Sequence, residues 1–114
     1  MSELINRWFS RTGRVPGMLA CGLRYHDGST FSRTWEVHLT ESLLNELWTR
    51  LHPMTEVAGV ESPEMMRWAF DKNAVIAAAR EKGPTFFVLL AKKSGETEDP
   101  GLERLLNEFR ALRG

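Results

Sequence analysis

The chain has 114 residues, 42% hydrophobic and 26% charged, the composition of an ordinary globular protein, and the length predicts one domain spanning 1–114. Fifteen basic residues balance fifteen acidic ones, so the overall basic excess of a nucleic-acid or anionic-membrane binder is missing. One cysteine and three scattered histidines offer no disulfide and no zinc-ligand spacing; the expectation is no metal, no cofactor and a reducing cytoplasm.

The opening "MSELINRWF" carries an acid at Glu3 and no long apolar core, which argues against a signal peptide. It reads instead as a short helix. Ser2 can cap it, Glu3 suits its positive end, and Leu4, Ile5, Trp8 and Phe9 form one apolar stripe. Arg7 and Arg11 share the other side, which reads as a solvated face rather than a phosphate contact. Gly13 and Pro16-Gly17 then break the helix.

Two alternating segments follow, with Asp27-Gly28 between them, the signature of a β-hairpin. Leu19, Cys21, Leu23 and Tyr25 alternate with Met18, Ala20, Gly22 and Arg24. Phe31, Trp35 and Val37 alternate with Thr30, Ser32, Thr34 and Glu36, Arg33 being the exception. A three-residue loop, Asp27 to Ser29, pairs Tyr25 with Phe31 and Cys21 with Trp35, gathering the large apolar groups on one face.

The same hairpin holds the one cysteine and a histidine, the raw material of a nucleophile and its base. Cys21 and His26 point to opposite faces and stand about 16 Å apart along an extended strand, beyond hydrogen-bond reach. The expectation is a buried, inert thiol and no catalytic residue. No P-loop is present either.

Thr40 caps a second helix, with Glu41 in its first turn. Leu43, Leu44, Leu47, Trp48 and Leu51 make a stripe broad enough for a core and a partner, and Pro53 is expected to end the helix. Residues 62–83 support two readings. Ser62, Pro63, the alanines and Gly83 suit a helix, whereas Met66, Trp68 and Phe70, then a turn at "DKN", then Val75, Ala77 and Ala79 alternate as two strands. "TFFVLLAKK" is a β-rich run suited to a central strand; its apolar stretch, Phe86 to Ala91, is far too short to span a membrane, and no apolar run is longer. After the loop "SGETEDPG", Asp99 caps a last helix with Pro100 at its first position and a stripe of Leu102, Leu105, Leu106, Phe109 and Leu112.

With the strand reading, the order is α-β-β-α-β-β-β-α. That order and three stretches resemble the Roadblock/LC7 family. The first is "VPGMLACGLRYHDG", similar to a first strand that opens after Pro-Gly and closes on an Asp-Gly turn. The second is "MRWAFDKNAVIAAA", similar to third and fourth strands meeting at a Lys-Asn turn. The third is "TFFVLLA", similar to the fifth strand. A second helix rich in Leu and Trp and a long acidic loop before the last helix depart from the family.

The resemblance tips 62–83 toward strands and implies an α+β fold of Roadblock/profilin type, a five-stranded antiparallel sheet flanked by helices. It further implies a non-enzymatic adaptor, a homodimer or Roadblock-type heterodimer paired through the second helix and third strand, and control of a Ras-like small GTPase by reshaping its switch loops. Leu43, Leu47, Trp48 and Leu51, with Arg67 on the third strand, are then the expected interface, Trp48 its anchor. The alternative reading is a small-ligand sensor of profilin-like or PAS-like build, its pocket lined by Trp8, Trp35, Trp48 and Trp68.

Overall fold

The computed structural model describes residues 3–56, 65–79, 83–91 and 100–112. Its elements run α1 (Glu3–Arg11), β1 (Met18–Arg24), β2 (Thr30–Thr34), α2 (Glu41–Glu56), β3 (Met65–Ala69), β4 (Asn73–Ala78), β5 (Thr85–Ala91) and α3 (Pro100–Ala111). The strands make one antiparallel sheet in the order β2-β1-β5-β4-β3. The fold is thus α+β, in the element order the strand reading gives. Each hairpin supplies one edge strand, and the apolar run of β5 fills the centre, where both faces are covered.

Alternation sorts the side chains into two cores. On one face α1 and α3 cover Cys21, Leu23, Ile76, Phe86 and Val88 with Ile5, Phe9, Leu102, Leu106 and Phe109. On the other, α2 alone covers Ala20, Val75, Ala77, Phe87 and Leu89 with Leu44, Trp48 and Leu51. Leu4, expected in the α1 stripe, is 45% exposed, because Ile5 and Phe9 with half-buried Trp8 already fill the contact.

The disputed segment resolves as strands. Phe70 N–H donates to Asn73 C=O across a turn at Asp71-Lys72, and Trp68 lies opposite Val75. Ser62 and Pro63 lie outside the described residues, as do Ser2 and Asp99.

The first hairpin differs from expectation in register. Cys21 pairs with Arg33 and Leu23 with Phe31, two residues along from the anticipated pairing, so the faces are kept but the partners change. The loop has three residues, His26 to Gly28, closed by the Tyr25 N–H to Ser29 C=O bond of 2.8 Å. Glycine explains the choice. Gly28 takes φ +101° as the last loop residue, and a loop of Asp27 to Ser29 puts a serine there instead. Ser29 N–H donates to the Asp27 carboxylate, which holds that acid below its ordinary pKa.

A bulge at the start of β1 corrects the alternation too. Pairing with β5 shifts between Met18 and Ala20, so Met18 joins Cys21 and Leu23 in the α1–α3 core while Leu19 packs with Ala20 toward α2. β2 ends at Thr34, and Val37, expected to continue it, is 93% exposed in the turn before α2.

Thr40 does cap α2, accepting from Leu43 N–H at 3.2 Å. Pro53 does not stop it; the helix runs on to Glu56. Proline removes only the bond to the Thr49 carbonyl, and Thr49 is exposed, so water can satisfy that oxygen.

Candidate interaction face beside α2

The α2 stripe divides into two sides with different fates. Leu44, Trp48 and Leu51 point into the sheet and are buried. Trp48 stacks on Phe87, with ring centroids 5.1 Å apart and planes at 14°, and its indole N–H donates to Ser32 Oγ at 2.9 Å. Ser32 in turn donates to Asn45 on α2. This chain fastens α2 to the β2 edge. The expected anchor of a dimer seam is therefore a core residue of this chain, wholly covered by it, and Leu51 is nearly so. Sequence alone could not separate them, because one broad apolar stripe looks the same whichever side faces the sheet.

Leu43 and Leu47 lie on the other side. Leu43 is 50% exposed and Leu47 half-buried. With Leu39, Phe70, Val75 and Leu89 they line an apolar groove of about 390 Å³ between α2 and the outer strands, completed by Asn73 and the Glu46–Arg50 ion pair. The groove exists because α2 sits over β1 and β2, leaving the β4–β3 half of that face less covered. Phe70 and Leu39 were not among the expected interface residues. Phe70 follows an alternating run whose earlier members, Met66 and Trp68, are half-buried, yet it is 44% exposed. Arg67 stands on edge strand β3 with its side chain exposed. The structure therefore brings Leu43 and Leu47 together with Phe70, and places Trp48 and Leu51 behind them.

Each of the tryptophans packs against another ring or a guanidinium. Trp8 meets Phe86 edge-on and lies against Phe109, and Trp68 stacks at 6.5 Å on the Phe87 that also carries Trp48. Trp35 lies under the Arg33 guanidinium, 5.1 Å from it. None of the four is among the described lining of the groove.

Cys21 is buried, and desolvation pushes its thiol up to about 12 against a small opposing pull from Arg33. A thiol held that far from ionisation is no nucleophile at neutral pH. Arg33 is occupied elsewhere: its guanidinium donates to the carbonyls of Phe9 and Thr12 at the C-terminal end of α1. Among the described residues no group of three or more His, Cys, Asp or Glu could hold a metal ion, and no helix is long and apolar enough to cross a membrane.

No family model matches the chain, and no curated protein does. Among solved structures, that of MglC from Myxococcus xanthus is similar, with 19% identity, a TM-score of 0.49, and coverage of 83% of this chain and 86% of that one. A likeness at that level carries nothing about function.

Proposed function

We propose that the chain is a non-enzymatic interaction module that works as a dimer, with itself or with a Roadblock-type partner, and regulates a Ras-like small GTPase in the cytoplasm. The observation that carries the reading is the apolar groove beside α2, next to β3, which ends the sheet among the described residues. Leu43 and Leu47 are its central contacts, with Phe70 and Arg67 at the β3 side. Charge favours the pairing. Beyond the Glu46–Arg50 pair α2 carries Glu41, and the β3–β4 hairpin carries Arg67 and Lys72 against Asp71, so two copies offer each other a net acid and a net base. The Roadblock/LC7 resemblance of the sequence supports the same face and supplies the GTPase.

Sedimentation velocity tests the dimer. The wild type is expected to sediment as a dimer and Leu43→Glu/Leu47→Glu as a folded monomer; a wild-type monomer at all concentrations overturns the reading. Capture from host lysate with GTP or GDP analogues present tests the partner. A Ras-like GTPase retained with one nucleotide only, and lost with the double variant, supports regulation. Recovery of other proteins alone removes the GTPase from the proposal.

A further inference from the structure

The groove concerns one end of the sheet; β2 forms the other edge. The ladder register shows which of its backbone groups are already used. Tyr25 N–H donates to Ser29 C=O, and Trp35 N–H donates to Leu19 C=O. In an antiparallel ladder residues two apart share a direction, so Phe31 and Arg33 also aim at β1. Thr30, Ser32 and Thr34 therefore turn their N–H and C=O groups outward, a row of donors and acceptors with no further strand beside it among the described residues.

Edge strands are ordinarily blunted by proline, bulges or projecting charge. β2 reads "TFSRT", and its pairing with β1 is regular throughout. Its single charge, Arg33, is drawn under the sheet to the α1 carbonyls and the Trp35 ring. The strand itself presents nothing that repels another strand.

The surroundings of this edge are basic. Within residues 1–36 five arginines, Arg7, Arg11, Arg14, Arg24 and Arg33, stand against three acids, Glu3, Asp27 and Glu36. Arg11 precedes the Thr12 whose carbonyl Arg33 holds, and Arg24 stands opposite Thr30. At the far end Glu36 is already offset by Arg14 at 3.6 Å. The neutral total hides this local excess.

We propose that β2 is a docking edge for an extended acidic segment of a partner protein. The segment adds as a sixth strand through the outward backbone groups of Thr30, Ser32 and Thr34, and its carboxylates meet Arg11 and Arg24. The edge is at the opposite end of the sheet from β3 and stands whether or not the α2 groove pairs. A second copy of this chain fits it poorly, because the β3 edge it would offer carries Arg67 and no acid.

The test is amide hydrogen exchange by NMR on the whole chain, with two acetylated probe peptides, one alternating valine and glutamate, the other valine and lysine. In the chain alone, Thr30, Ser32 and Thr34 amides exchange at least about tenfold faster than those of Phe31 and Arg33. The glutamate peptide slows those three amides and the lysine peptide does not, and added salt weakens the effect. Thr30→Pro removes one outward N–H and spares the ladder. It weakens binding roughly three- to tenfold with an unchanged melting curve. Equal effects of both peptides, no protection by either, or glutamate-peptide shifts confined to Leu43, Leu47 and Arg67 overturn the proposal. So does protection of the three amides in the chain alone at concentrations where it self-associates.

Discussion

The indole of Trp48 lies directly over Gly22: a Cβ built on Gly22 falls 2.6 Å from two indole carbons and closer still to the ring nitrogen. The helix can approach the sheet this closely only because β1 has no side chain at that point.

Gly22→Ala is expected to cost about 2–4 kcal/mol, from overpacking against a ring already stacked on Phe87 and from the strained bond to Ser32. Urea denaturation followed by tryptophan fluorescence measures it. A loss below about 0.5 kcal/mol means that α2 can lift without penalty.

Trp48→Glu and Leu43→Glu should part company. The first buries a carboxylate in the α2 core and is expected to cost about 3–5 kcal/mol, enough to unfold a marginal domain. The second sits at a half-exposed position and should change stability by no more than about 0.5 kcal/mol. Thermal melts settle it. A monomer obtained with Trp48→Glu reports on folding, not on an interface, so Leu43 is the position for testing assembly.

Arg33→Met keeps much of the packing and removes the charge-assisted bonds to the Phe9 and Thr12 carbonyls. The expected cost is about 1–3 kcal/mol, with amide exchange in α1 accelerated more than in β5. Unchanged α1 protection would show that water replaces the guanidinium without loss.

Burial of Cys21 makes stability pH-dependent in the alkaline range. The folded thiol is pushed up to about 12 from an ordinary value of 9.0, so above that lower value the unfolded chain ionises while the folded one does not. The contribution is whole below about pH 9 and falls by at most about 1.4 kcal/mol per pH unit above it. Cys21→Ala removes this part of the slope and leaves that of Tyr25, whose hydroxyl is also pushed up by burial. The variant should gain on the wild type between about pH 9 and pH 11 in paired denaturation curves, and parallel curves refute the assignment. At neutral pH a thiol reagent should modify Cys21 only as fast as the chain opens.

Element types were readable because the apolar period is strong in α2 and α3, because β5 is an unbroken apolar run, and because Asp27-Gly28 and Asp71-Lys72 punctuate the hairpins. What escaped depends on tertiary context. The bulge at Met18–Ala20 moves Met18 into the opposite core, and no local pattern signals an extra residue. The hairpin register follows the positive φ of Gly28, a conformational demand that a count of loop residues misses. Pro53 stays helical because its cost falls on the exposed Thr49. The candidate face was half visible: the stripe named Leu43 and Leu47, but the same pattern included Trp48, whose place was decided by the absence of a side chain at Gly22 on a different element.

A sheet whose two ends are both open hairpins can in principle polymerise, one molecule's β2 adding to the next molecule's β3 without ever closing a ring. The charges work against that chain reaction. Arg11 and Arg24 at one end would meet Arg67 at the other, so head-to-tail growth brings like charge to like charge. High salt, which screens that repulsion, is therefore the condition under which this protein should be watched for fibres.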